Sequence, residues 1–198
     1  MKKKLMCACG IMVFLVTVTK VNAQIQRGNL LLGADIGNVD LSLDKGGNFA
    51  FRIDPKLAWF VRDNVALGAY FLVGLSTAKN AGTSVNYGLG ALGRYYINDK
   101  TVNLVQHSRF FFEGTVGIEG DNPAVGDNTN GLGLGIGPGW TYFITPNIGL
   151  EALLKYNGIV GFGSAPTSNN LNLSVGFQIY LPSSRAKAIR NDVERERR

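Results

Sequence analysis

The sequence predicts an all-β protein, eight antiparallel strands closed into an up-and-down transmembrane β-barrel. Three observations predict it. Eight segments alternate apolar residues with small or polar ones, the period-2 signature of strands whose two faces differ. The connectors between them include tight turns on one side and longer loops rich in Gly, Asn, Ser and Asp on the other, as in hairpins closed into a barrel. The second face carries too little charge for a water-exposed surface: only 17% of the chain is charged, while glycine numbers 26.

A leader precedes these segments. Lys2, Lys3 and Lys4 form a basic start, Ile11 to Val18 a short apolar core, and Val21-Asn22-Ala23 a small-residue cleavage site. The apolar run is too short, and too closely followed by Lys20, for a membrane-spanning helix. Residues 1–23 are therefore expected to be a cleaved signal peptide, with 24–181 the barrel and 182–198 a charged tail. Cleavage removes Cys7 and Cys9, the chain's 2 cysteines, and with them any disulfide or cysteine-ligated metal. It also removes four lysines, leaving 16 basic against 14 acidic residues from the original 20 and 14. The tail holds six bases and three acids, so the body has ten bases against eleven acids. A pI near 9.4 thus reflects the two ends and gives no reason to expect a nucleic-acid partner.

In chain order, the first segment (30–39) places Asp35 on the polar phase. The second (49–61) carries Arg52, Asp54 and Lys56 there, with Trp59 on the apolar phase. The third (65–77) has Val65, Leu67, Ala69, Phe71, Val73 and Leu75 on one face. The fourth (84–97) holds Arg94, then Tyr95 on the apolar phase. The fifth (109–119) sets Glu113 between Phe110 and Phe112. In the sixth (131–144), Gly131, Gly133, Gly135, Gly137 and Gly139 alternate with Leu132, Leu134 and Ile136. This alternation is the small face of a strand in a barrel where room is short. Pro138 removes a ladder donor, so a bulge or bend is expected there. The seventh (148–157) sets Glu151, Leu153 and Lys155 opposite Ile148, Leu150, Ala152, Leu154 and Tyr156. The eighth (170–181) runs Leu171, Leu173, Val175, Phe177, Ile179 and Leu181 on one face, with Asn172, Ser174, Gly176, Gln178 and Tyr180 on the other.

The apolar face is expected to meet lipid and the other to line the interior. Asp35, Asp54, Glu113 and Glu151 balance Arg52, Lys56, Arg94 and Lys155, four against four, as mutual pairing in an enclosed space requires. Trp59, Tyr95, Phe110, Phe112, Trp140 and Tyr142 gather at the tight-turn end, and the Tyr and Trp among them, with an apolar ring and a polar tip, suit a membrane interface. Backbone polar groups in lipid must pair internally, so eight strands without a spanning helix must close.

The hairpin PKLAWFVRDNVALGAYFLVG (55–74), the stretch GPGWTYFITPNIGLEALLKY (137–156) and the last strand carry a resemblance. Over about residues 28–181 the chain resembles the small eight-stranded outer-membrane β-barrel proteins, the OmpA transmembrane domain, OmpX and their relatives. Ser174, Gly176, Ile179 and Leu181 look like the assembly signal of such barrels, with aliphatic residues in place of terminal aromatics and a tail following. The resemblance implies the outer membrane of a Gram-negative bacterium, insertion by the barrel-assembly machinery, contact with outer-membrane lipid, and termini and tight turns in the periplasm. It fixes no function, because such barrels serve several.

Other motifs carry little. Gly88-Leu89-Gly90-Ala91-Leu92-Gly93 satisfies a dinucleotide fingerprint, but Arg94-Tyr95-Tyr96-Ile97 continues a strand where a helix is required. His107, the 1 histidine, sits in the connector 98–108 without an evident partner. Asp121, Asn122, Asp127 and Asn128 offer oxygens for calcium at no defined spacing. In the tail, Ala186, Ile189 and Val193 form a weak helical stripe. No enzyme activity, cofactor or metal is expected. The expected function is structural or surface-interacting, through the loops and a surface ligand the sequence does not specify, around a polar, plugged interior. The rival is a small gated pore in which Arg94 or Lys155 re-pairs between acids.

Overall fold

The computed structural model describes residues 25–41, 49–78, 82–97, 107–163 and 167–184. Residues 1–24, which include the expected signal peptide, residues 98–106 of the long connector, and the tail from 185, where a weak helical stripe is expected, lie outside the described residues. The strands are β1 (Leu30–Leu41), β2 (Phe49–Arg62), β3 (Val65–Ala78), β4 (Gly82–Tyr96), β5 (Ser108–Asn122), β6 (Thr129–Thr145), β7 (Ile148–Gly161) and β8 (Ser168–Leu181).

Each strand pairs antiparallel with its chain neighbours, and β1 pairs with β8 from Leu30↔Leu181 to Gly37↔Ser174, closing the barrel. Closure leaves no sheet edge. Asp63 and Asn64 turn β2 into β3, with Asn64 in the left-handed region at φ 66°, where an Asn side chain is tolerated. Pro146 and Asn147 turn β6 into β7.

Alternation sorts the faces. Leu67, Phe71, Leu89, Ile118, Leu134, Ile136, Leu171 and Val175 all stand exposed on the outer wall. Trp59, Tyr95, Phe110, Phe112, Trp140 and Tyr142 stand there too, near the tight turns, each at least 39% exposed. The charged residues of the opposite phase point inward and are buried.

Two expectations need correction. Pro138 makes no bulge. It sits opposite Phe112 on β5, and towards β7 the register is the same before it (Ile136↔Tyr156) and after it (Gly139↔Leu153). The missing N–H interrupts the pairing with β7 without shifting it, and the irregularity lies between Phe143 and Thr145, beside the turn. The inner face is also not only glycine and polar groups. Leu153 and Tyr180, placed on that phase by the sequence, are joined there by Leu31, Phe60, Tyr96 and Phe111, and all six are 0–1% exposed. Near the tight turns both phases carry large rings, which fill the lumen on one side and face outward on the other.

The glycines of β6 make room for what their neighbours project. A Cβ at Gly133 would collide with the Glu119 carboxyl group, one at Gly135 with the Thr115 hydroxyl, and one at Gly139 with the Phe111 ring. At Gly131 and Gly137 the obstacle is the backbone of β7 itself. The inner side of β6 is the bare wall against which the side chains of β5 and β7 lie.

Candidate functional site

The inward phase of β2 spaces Arg52, Asp54 and Lys56 two residues apart, so all three enter the lumen. On β4 and β5, Arg94 and Glu113 are direct cross-strand partners. Register alone makes that pair. Thr141 and Glu151 are likewise register partners on β6 and β7, and Asp35 meets Lys56 and Gln178 on the strands at its two sides. The Lys56–Glu113 and Arg94–Glu151 bonds need closure, because they cross the lumen.

Arg94 is the hub. Its Nη2 donates to Glu113 Oε2 at 2.6 Å, and its Nη1 donates to both oxygens of Glu151 at 2.8 Å. Its guanidinium lies 4.0 Å from the centre of the Phe111 ring, a cation–π arrangement in a dry setting. Lys56 bridges Asp35 at 2.7 Å and Glu113 at 3.0 Å. Glu151 also accepts from Thr141 Oγ1 and from the Tyr180 hydroxyl, both at 2.8 Å. Gln178 Nε2 donates to Asp35 Oδ1 at 2.8 Å. An unbroken chain thus runs Gln178–Asp35–Lys56–Glu113–Arg94–Glu151–Tyr180. With Thr141 it joins every strand except β3.

Of the eight charges read from the sequence, five belong to this chain: Asp35, Lys56, Arg94, Glu113 and Glu151. Arg52 and Asp54 instead pair with each other on their own strand, with Nε to Oδ1 at 2.9 Å. Lys155 stands 3.8 Å from Glu113, beyond hydrogen-bond reach. The balance of four against four is corrected by Glu119, a fifth buried acid, which accepts from the Tyr70 hydroxyl at 2.5 Å. Glu119 is inward because β5 keeps its alternation beyond Glu113, a signal present in the sequence.

Sequence reasoning also missed the aromatic layer. Phe60, Tyr96, Phe111, Phe143 and Tyr180 stack at ring-centre distances of 5.1–6.4 Å, within the range of attractive aromatic pairs. Tyr96 joins the layer to the ionic chain, lying 3.0 Å from Arg94 Nη1 and 2.8 Å from the Tyr180 hydroxyl.

The four assembly-signal positions divide between the faces. Ser174 and Gly176 line the lumen at the β1–β8 seam, where a Cβ on Gly176 would meet the Asp35 carboxylate. Ile179 and Leu181 lie half-buried near the end of the strand. Gly88, Gly90 and Gly93 lie within β4, with no helix after them. His107 sits at the turn entering β5, where its carbonyl accepts from Phe143 N–H at 2.6 Å. Asp121 accepts from Asn86 at 2.7 Å, while Asp127 and Asn128 are exposed on the loop. On the outer wall, Leu134, Ile136, Tyr156, Gly158 and Val160 line a groove of about 350 Å³.

No protein-family model and no curated protein sequence matches the chain. Solved structures do. The crystal structure of Neisserial surface protein A is 17% identical and superposes with a TM-score of 0.55, over 77% of this chain and 96% of that one. The N-terminal β-barrel domain of Pseudomonas aeruginosa OprF is 17% identical at a TM-score of 0.41, over 77% and 98%. The Yersinia pestis outer membrane protein Ail is 12% identical at 0.45, over 77% and 100%. This chain has the fold of the small eight-stranded outer-membrane β-barrel proteins.

Proposed function

We propose that the protein is an outer-membrane barrel whose interior is a plug, with a structural or surface-interaction role exercised through the loops on the side away from the tight turns. One observation carries this reading: the hydrogen-bonded ionic chain from Gln178 to Tyr180 spans the lumen and rests on the aromatic layer. An eight-stranded barrel is just wide enough for side chains to fill, and here they fill it with matched partners. The apolar outer wall supports a surrounding of outer-membrane lipid, and its turn-end aromatics an interfacial belt. In this reading the signal peptide directs export and the tight turns and termini face the periplasm. The barrel-assembly machinery reads Ser174, Gly176, Ile179 and Leu181.

A gated pore is the second reading. Its supporting observation is that Glu113 has three cations within 4 Å, namely Lys56, Arg94 and Lys155. Arg94 could leave Glu113 without stranding it. Single-channel recording of the refolded chain (residues 24–198) in a planar bilayer, beside Arg94→Ala, tests both. Silence from a barrel shown folded by its heat-sensitive gel shift is the expected result. Discrete openings that change with the mutation would overturn the plug and establish the pore.

A further inference from the structure

Residues 25–29 precede the barrel, yet they are bound to its turn end. The Asn64 N–H donates to the Ile25 carbonyl at 3.0 Å, and the Arg27 N–H donates to Asp63 Oδ1 at 2.8 Å. Gly28 N–H donates to the Phe60 carbonyl at 2.7 Å, and Phe60 N–H returns a bond to the Asn29 carbonyl at 2.9 Å. The segment turns sharply at Gly28, whose φ of 90° suits glycine. At the other side of the seam, Asn29 Oδ1 accepts from Ser183 N–H at 3.2 Å. These bonds tie the segment to the β2–β3 turn and to the end of β8. Ile25 is 4% exposed, in one buried cluster with Ala58, Phe60, Ala66, Tyr96, Phe143 and Tyr180.

An exposed leader that merely connected to β1 would not bury its only large apolar side chain. We propose that Ile25–Asn29 is a strap that closes the turn-end mouth of the barrel, with Ile25 as its stopper against the aromatic layer. The strap, rather than the ionic chain, keeps water from entering at that end. Its release would open the aromatic layer that underlies Arg94 and Glu151 to water from below, while leaving the strand ladder intact. Its position just after the cleavage site expected at residue 23 means that processing leaves the stopper next to a new, short N-terminus. The inference rests on the plugged-barrel reading and deepens it by naming the part that seals.

Residues 24–198 contain no cysteine, so a single introduced thiol reports on water access. Ala66 is buried in the same cluster at 0% exposure, and Ala66→Cys adds only a sulfur beneath the stopper. A charged, water-soluble methanethiosulfonate reagent is applied to the refolded barrel in lipid vesicles, with the folded fraction selected by gel shift. The thiol should be protected when the strap is intact. It should react at least about tenfold faster when Ile25→Ser is added, the behaviour of a local opening. Asp63→Ala is the second variant. It removes only the acceptor for the Arg27 N–H on an exposed turn, and should raise the rate less. Fast labelling beneath the intact strap, or equal rates in strapped and released folded barrels, overturns the proposal. Channel recording keeps the two ideas apart. Unchanged labelling of a silent barrel defeats the strap alone, whereas conductance by the unmodified chain defeats the plug.

Discussion

The two halves of the lumen are built differently. In the half nearer the tight turns, side chains reach across: Arg94 on β4 grips Glu151 on β7, and Lys56 on β2 grips Glu113 on β5. Rings from five strands pack around them. In the half nearer the loops, polar groups mostly pair with near neighbours. Arg52 pairs with Asp54 on its own strand, Asn86 with Asp121 on the adjacent strand, and Asn157 with Asn170 likewise. Two bonds reach further: Tyr70 to Glu119, from β3 to β5, and a long 3.5 Å bond from the Ser168 hydroxyl on β8 to Asp121 on β5. Cross-lumen bonds clamp opposite walls, and neighbour bonds only reinforce a ladder that already holds. Side-chain substitutions should therefore cost far more below the middle of the barrel than above it.

The largest expected effect is at Arg94. Its loss leaves Glu113 with Lys56 but strips Glu151 of its one ion-pair partner among the described residues, leaving only the Thr141 and Tyr180 hydroxyls. Removing one partner of a buried pair costs about 3–5 kcal/mol, chiefly from the stranded charge. Arg94→Ala should lower stability by that amount in urea unfolding of the lipid-embedded barrel. A second substitution, Glu151→Gln, should restore part of it. If the single variant unfolds like the parent, the cross-lumen clamp is not what distinguishes the lower half.

Next comes the bare wall of β6. Gly139→Val would drive its side chain into the Phe111 ring, which also carries the Arg94 guanidinium on its face. Overpacking of this kind costs about 1–3 kcal/mol. Coupling to Arg94 should appear as non-additivity in a double-mutant cycle, since the two sites share one ring. Additive costs would show that ring and guanidinium do not depend on each other.

Much of this was legible beforehand because period-2 alternation assigns each residue to a face once the strands are recognised. Asp35, Arg52, Asp54, Lys56, Arg94, Glu113, Glu151 and Lys155 all lie inward for that reason. The pairing of Arg94 with Glu113 follows from register between adjacent strands. Contacts across the lumen did not follow. Lys56 and Glu113 are 57 residues apart, and their meeting depends on barrel diameter and tilt, which no local pattern encodes. The aromatic layer was hidden for a different reason. In Trp59-Phe60, Tyr95-Tyr96 and Phe110-Phe111-Phe112 large rings occupy both phases, so alternation of size disappears where the lumen is most tightly filled. Position along the strand still marks inward phase there, two residues beyond Arg94 for Tyr96 and two before Glu113 for Phe111. Pro138 shows the limit of a local rule, because one missing donor in a strand paired on both sides interrupts the ladder without forcing a bulge.

The smallest effect tests the middle of the barrel, where the two halves meet. Lys155 is buried but stands 3.8 Å from Glu113, which already has Lys56 and Arg94 at 3.0 and 2.6 Å. Its ammonium also lies 5.6 Å from the centre of the Tyr70 ring. Lys155→Met keeps most of the stem that packs beside Gly135 and removes a charge that no acid depends on. Losing its attraction to Glu113, with which it makes no hydrogen bond, is offset by losing the desolvation cost of a buried ammonium, so the change in unfolding free energy should stay within about 1 kcal/mol. A cost as large as that of Arg94→Ala would mean that Glu113 needs all three cations. The boundary between clamped and unclamped halves would then lie higher, at the level of Lys155, and the upper lumen would be held by charge as the lower one is.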